Sequence, residues 1–335
     1  MLEVVIFFLL VSLYLYCLLG GADFGAGIIE LFSGKNSKEV TQKLVNKAMA
    51  PIWEANHMWL IIAVVILFNG FPMIYSKISI SLYIPLILLL VGIILRGTAF
   101  TFRYYDAIKD DSQKIYSRIF AYSSVMVSFF FGLIIGALVS GKIQSSSTGF
   151  AESYIYPWLN LFSVSTGIFI SAIFAFTASV YLIGEASDIQ TKLMIVKKAK
   201  RSAIIMVLSG GLVFVTSLIE QVHFAESFMD NTLANILIAA ATLLLPFLWY
   251  SLDKVMNWLA RVLVGAQLFL ILAAFYAVYF PSILILDNGR SYDLMIHKAP
   301  DVTLAYLGWA LIIGSLIIFP SLYYLFKVFK LEKQS

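Results

Sequence analysis

The stretch Pro51 to Ile61, PIWEANHMWLI, places Glu54, Asn56 and His57 at the start of a long apolar run. An ionised acid at the centre of a membrane helix costs roughly 3 kcal/mol and less near the ends, so such a carboxylate belongs to a protein interior, a water path or a helix end. At about 100° per residue, Glu54, His57, Met58 and Ile61 share one helical face, and Asn56 sits about 200° from Glu54. Two readings stand. Glu54 caps the start of an interfacial helix with Pro51 in its first turn, or it is a buried acid that handles protons. Two other ionisable groups lie in apolar surroundings, Asp23 within GGADFGAG (Gly20–Gly27) and Arg96 within LRGTAFTFR (Leu95–Arg103). An arginine paired with one acid would hold it ionised and leave the other free to exchange protons. The glycines around Asp23 would let a backbone, a helix or a cofactor approach closely, or they form a packing face with one polar residue.

These residues need elements to position them, and the composition says which. The 335 residues are 61% hydrophobic and 13% charged, with a mean hydropathy of +0.92. A soluble core of this size has no use for so much apolar surface, so the chain reads as a polytopic membrane protein. Its N-terminal MLEVVIFFLLVSLYLYCLLGG lacks the basic start and small-residue cleavage site of a signal peptide and reads as a retained first helix. Hydrophobic spans are expected at about 4–31, 52–71, 78–102, 118–140, 158–184, 203–222, 233–252, 258–280 and 303–327, each near the ~20 residues a bilayer core requires. The expected fold is all-α, with the nine transmembrane helices as two four-helix bundles plus one additional helix. In residues this is a first bundle over 1–140, a fifth helix and connection over 141–200, and a second bundle over 201–335. Gly20-Gly21 and Gly210-Gly211 hint at an internal inverted repeat.

Lysines and arginines crowd the connections after the first, third, fifth and seventh spans and the C-terminal tail, among them Lys35, Lys38, Lys43, Lys47, Lys109, Lys114, Lys192, Lys197, Lys254 and Lys333. The opposite connections hold Lys77, Lys142, Arg290 and Lys298. The positive-inside rule therefore puts the N-terminus outside and the C-terminus in the cytoplasm. On that topology Asp23, Glu54, His57 and Arg96 fall in one leaflet, at the depth of a cytoplasmic proton entrance. Glu220, His223, Glu226 and Asp230 read as a solvated rim on the other side. Cys17, the sole cysteine, excludes an intrachain disulfide and a cysteine-cradled cluster. His57, His223 and His297 are too scattered in sequence for a bis-histidine haem site, and no metal site is expected. Phosphate loops, nucleophile elbows and nucleic-acid stripes are absent, so no nucleic-acid partner is expected.

GGADFGAG, then PIWEANHMWLI about thirty residues later, then LRGTAFTFR, together resemble subunit II of the cytochrome bd-type quinol oxidases, whose pattern runs DGFDLGVG, P-x-W-[DE]-x-N-x-x-W-L and an arginine before a phenylalanine and a second arginine. The resemblance is dense over roughly residues 15–140 and thinner beyond. It implies a heterodimer in the prokaryotic cytoplasmic membrane. Its haem-bearing subunit I carries haems b and d, or b only, oxidises quinol and reduces oxygen to water with protons from the cytoplasm. Subunit II is then the scaffold without haem ligands of its own, and membrane lipid and, in some assemblies, small single-span subunits are further partners. Some members hold a structural quinone in subunit II. By the resemblance the position of Glu54 contributes an acid to the proton route; beside it Asp23 reads as a second acid or a hydrogen-bond anchor, Arg96 as the counter-charge, and Asn56 and His57 as positioning groups.

The chain departs from the pattern in several places. Gly20 replaces the first acid of the glycine-rich motif, Glu54 stands where many members have Asp, His57 where Gln or Glu is common, and Tyr105 where some carry a lysine, with Arg103 nearby. The rival from another class is a proton-coupled secondary transporter, for which intramembrane acids and an inverted repeat are equally expected.

Overall fold

The computed structural model describes residues 1–50, 53–106, 111–146 and 149–331. Pro51, Lys109 and Lys333, which entered the reading of PIWEANHMWLI and of the topology, lie outside the described residues. The first span is α1 (Leu2–Leu15), a π-helical turn (Tyr16–Gly20) and α2 (Gly21–Leu31). Then come α3 (Lys35–Met49), α4 (Trp53–Gly70), α5 (Pro72–Ser81), α6 (Tyr83–Tyr105), α7 (Ser112–Val139), α8 (Phe150–Tyr154), α9 (Leu161–Ile183) and α10 (Ile189–Ile219). The chain closes with α11 (Phe224–Asp230), α12 (Thr232–Asp253), α13 (Asn257–Tyr279), β1 (Ser282–Ile285), β2 (Ser291–Asp293) and α14 (Asp301–Leu331). Among the described residues nine helical spans are long and apolar enough to cross a membrane, and they match the nine expected from hydropathy. The sixth starts at Ile189 and not near 203, because the basic KKAKR segment continues as helix ahead of the apolar stretch.

Several elements outside the nine spans were not anticipated: the helices α3, α5, α8 and α11 and a hairpin. The connection after the first span is helical: α3 buries Thr41, Leu44, Val45 and Met49 along one face and turns its lysines outward, the spacing of an amphipathic helix lying on a bundle. Residues 282–293 form a small antiparallel hairpin, with Ser282 opposite Asp293 and Ile285 opposite Ser291, and Ile143 adds a single bridge to Leu286. Gly289 in its turn has φ +76°, and the Asn288-Gly289 dipeptide was the available signal.

The fifth span, α9, is the packing hub. It lies against α2, α7 and α10 and also touches α13 and α3. Its small residues allow the approach: at Gly167 a Cβ would stand 2.8 Å from the carbonyl oxygen of Phe129 on α7. The main core gathers Phe24, Phe100, Phe120, Phe174 and Phe176 between α2, α6, α7 and α9. A second core joins α1, α4, α5 and α14 through Val5, Leu9, Ile66, Phe71 and Leu304. A third lies at the far end of α9 and α10, where Phe162, Val213, Phe224 and Phe228 meet.

Candidate functional site

Helices α2 and α6 each carry two charged side chains seven residues apart, Asp23 with Glu30 and Arg96 with Arg103. Seven residues bring a helical side chain back to within about 20° of the same face, so each pair is stacked two turns apart. The facing helices therefore build two polar layers.

In the first layer Asp23, 4% exposed, accepts a hydrogen bond from Nδ2 of Asn56 on α4 at 2.7 Å. Arg96 is wholly buried. Its Nε donates to Oγ of Ser124 on α7 at 3.2 Å, and its Nη2 points to Sδ of Met49 on α3 at 3.8 Å. Its guanidinium carbon lies 4.9 Å from the Phe24 ring centroid and 5.1 Å from that of Phe120. Among the described residues Asp23 and Arg96 form no direct ion pair. Ring faces, worth about 2 kcal/mol each when desolvated, and the longer-range field of Asp23 offset the burial of the Arg96 charge.

The second layer is a buried ion pair. Nη1 of Arg103 donates to both Glu30 oxygens, at 2.9 and 2.8 Å, and Nε2 of Gln42 on α3 donates to the same carboxylate at 2.9 Å. Arg103 also lies 4.2 Å from the Phe120 centroid, so one ring serves both arginines. Removing one member of such a pair leaves the other charge buried, at a cost of about 3–5 kcal/mol. Glu30 was missed in the sequence reading, although its seven-residue spacing from Asp23, matching that of the two arginines, was there to be found.

The glycine-rich motif admits neighbouring helices. A Cβ at Gly25 would stand 1.9 Å from the carbonyl oxygen of Phe174 on α9, and one at Gly27 would stand 2.2 Å from Oγ of Ser124. That serine donates to the carbonyl of Phe120 at 2.7 Å and accepts from Arg96, so the space over Gly27 holds the anchor of the buried cation.

On α4 the structure separates the three polar residues of PIWEANHMWLI. Asn56 is buried with Trp59, Ala63, Ile66 and Gly70, one turn apart along the inner face. Glu54 is exposed on the outer face of this chain. His57 lies between, with its ring 5.8 Å from that of Phe24, 6.4 Å from Tyr16 and 6.4 Å from Trp53. The expected cluster of four ionisable groups is thus divided: Asp23 and Arg96 share the interior with Asn56, His57 borders it, and Glu54 stands apart. The angle of about 200° between Glu54 and Asn56 separated their faces, but apolar neighbours on both sides did not say which face was inside. Tyr16, wholly buried in the π-helical turn, also borders Phe24, with ring centroids 6.0 Å apart. The sequence reading missed it, because an apolar run rich in aromatics does not distinguish it.

The opposite end carries a tie as well as a rim. Glu220, which follows α10, accepts from Nζ of Lys142 at 2.5 Å and from the backbone N–H of Leu161 at 2.8 Å, capping α9. Burial pushes the Glu220 carboxyl up, but the bonds from Lys142 and the backbone N–H groups outweigh it and hold the group below its usual range. His223 and Glu226 remain exposed and bond to each other at 2.8 Å, as a solvated rim would. Among the described residues no three His, Cys, Asp or Glu side chains converge as metal ligands would.

The profile of the family described as "Cytochrome bd terminal oxidase subunit II" matches residues 1–329. The chain belongs to that family. A Bacillus subtilis relative named cytochrome bd ubiquinol oxidase subunit 2 is 27% identical over 151 residues, 45% of this chain and 43% of that protein. Cytochrome bd-I ubiquinol oxidase subunit 2 of Escherichia coli K12 is 33% identical over 100 residues, 29% of this chain and 26% of that one. These alignments thus span less than half the length of either relative. A second Bacillus subtilis protein, a putative cytochrome bd menaquinol oxidase subunit II, aligns over 96% of this chain and 93% of its own length at 22% identity. The fold is similar to that of the bd oxidase from Geobacillus thermodenitrificans, with a TM-score of 0.79 and 17% identity over 98% of both chains. Family membership and the nine apolar spans among the described residues make this a multi-pass membrane protein. They do not favour the transporter alternative.

Proposed function

We propose that this chain is the second subunit of a quinol-oxidising, oxygen-reducing complex of the prokaryotic cytoplasmic membrane, serving as scaffold for a haem-bearing subunit I and as part of its cytoplasmic proton path. The observation that carries the reading is on α4: Asn56 turns inward to hold Asp23, while Glu54, two residues earlier, faces out of the same chain. A carboxylate left against lipid costs roughly 3 kcal/mol at a helix centre and less in a first turn such as this one, so polar surroundings are favoured, and a partner or a water path supplies them. Subunit I, carrying haems b and d or b only, is that partner. The three histidines here lie in separate parts of the fold, and two of them are engaged elsewhere, His223 with Glu226 and His297 with the backbone of Asp293. They do not fit a pair of axial haem ligands, and no step is assigned to haem on this chain.

In this scheme Glu54 receives protons at the subunit boundary, His57 and Asn56 position the polar groups on either side of α4, and Asp23 with Arg96 forms the inner charged layer. Reduction of one O2 molecule to two waters consumes four protons and four electrons, so a path open to one side separates charge without a pump. The N-terminus lies outside and the C-terminus in the cytoplasm. The grouping into residues 1–140, 141–200 and 201–335 places α9 between two bundles; its central packing supports that, whereas α14 of the last group packs on α1 and α4 of the first. An apolar recess between α1, α4 and α14, lined by Phe8, Trp59, Leu311 and Phe319, has the chemistry for the tail of a structural quinone. The test is a mild-detergent pull-down of the tagged chain from its native membrane with a reduced-minus-oxidised spectrum. A second polytopic subunit with haem bands is expected. A stable, colourless chain with substrate-dependent uptake in vesicles would overturn the reading.

A further inference from the structure

Three side chains that border the Phe24 ring each carry a buried polar atom with no hydrogen-bond partner among the described residues: the Tyr16 hydroxyl, Nη1 of Arg96 and Nδ1 of His57. Their side chains come from three separate elements, the π-helical turn, α6 and α4, and lie against one aromatic wall. The rings of Tyr16 and His57 have centroids 6.0 and 5.8 Å from that of Phe24, and the Arg96 guanidinium carbon is 4.9 Å from it. Tyr16 and Arg96 are wholly buried, so bulk solvent does not reach them. The place is shaped for the tyrosine. A Cβ at Gly20 would stand 2.9 Å from the Tyr16 ring carbons, so glycine at that position is what lets the ring lie there.

The donor and acceptor types are complementary to water. A guanidinium N–H only donates, a phenol donates and accepts, and an imidazole nitrogen does either according to its tautomer. A buried water commonly makes about three hydrogen bonds, and it settles where several protein groups lack other partners. Asp23, adjoining this place through Phe24, already holds Asn56 with one carboxylate oxygen. We propose that Tyr16, Arg96 and His57 bind ordered water, and that this water joins the buried Asp23–Asn56 pair to His57 and, one helical turn along, to Glu54 on the outer face. Tyr16 is then a positioning residue for the proton path, which neither its type nor its apolar sequence context announces. The water site stands on the geometry alone; its link to turnover rests on the oxidase reading above.

The test is cryo-electron microscopy of the intact two-subunit complex at a resolution that shows ordered water, alongside steady-state turnover of Tyr16→Phe. Expected is density within hydrogen-bond distance of the Tyr16 hydroxyl and Arg96 Nη1 in the wild type. In Tyr16→Phe that density is displaced, and turnover falls at least about tenfold, as interruption of a proton route does, with the KM for quinol unchanged. A dry wild-type site overturns the proposal, as does a Tyr16→Phe complex that turns over like the wild type. If Tyr16→Phe does not assemble, the wild-type density decides. A dry site would leave the oxidase reading intact, whereas an unaltered Glu54→Gln enzyme would remove the relay role and leave the water site standing.

Discussion

Glu54 and Asn56 show how much two residues of helix can separate. Both are polar and both lie in an apolar helix, yet one holds a buried aspartate at 2.7 Å and the other faces outward. Replacing Glu54 with Gln keeps size and hydrogen bonding but removes the exchangeable proton. The expected outcome is a complex that assembles normally and turns over at least about tenfold more slowly with an altered pH dependence, read by oxygen consumption. Unchanged turnover and pH profile would end the relay role. Glu30 and Arg103 lie in the last turns of α2 and α6, buried within this chain, and belong to its architecture, since Gln42 and Phe120 pack against the pair.

At the scale of elements, the glycine-rich face of α2 decides how closely the first span meets the fifth. A methyl group at Gly25 would collide with the backbone of α9, which cannot rotate away as a side chain can. Gly25→Ala is expected to destabilise the protein by about 1–3 kcal/mol or more, as overpacking does, and to lower its melting temperature in detergent. Gly211→Ala meets nothing within 4 Å and serves as the control, with stability unchanged or raised by up to about 1 kcal/mol from helix propensity. At the other end of α9, Glu220 ties the helix start to Lys142. Because its folded-state pKa is depressed, its contribution is complete above the unfolded carboxyl pKa of about 4.3 and is lost as the pH falls through the lower folded value. Thermal melts of wild type and Glu220→Gln should differ at neutral pH and converge as the medium is acidified below about pH 4.

For the whole molecule, orientation decides what the acids can do, because a proton path generates charge separation only if it opens to one side. In a Cys17→Ala background, a cysteine replacing exposed Arg290 in the hairpin turn should react with a membrane-impermeant maleimide in intact cells. One replacing exposed Lys43 on α3 should react only after the membrane is opened. The reverse pattern would place the polar layers in the opposite leaflet. Membrane residence, the helical class and the nine spans were legible in the sequence because hydropathy and length suffice for them. The family was legible because GGADFGAG, PIWEANHMWLI and LRGTAFTFR carry it together. Only the tertiary structure decided that Asn56 and not Glu54 meets Asp23, that Glu30 is the partner of Arg103, and that Tyr16 and His57 border Phe24 with Arg96. The physical reason is the solvent. In water an apolar stripe marks the inside of a helix, but in a bilayer both faces are apolar, and the inward face is known only once the neighbouring helices are in place.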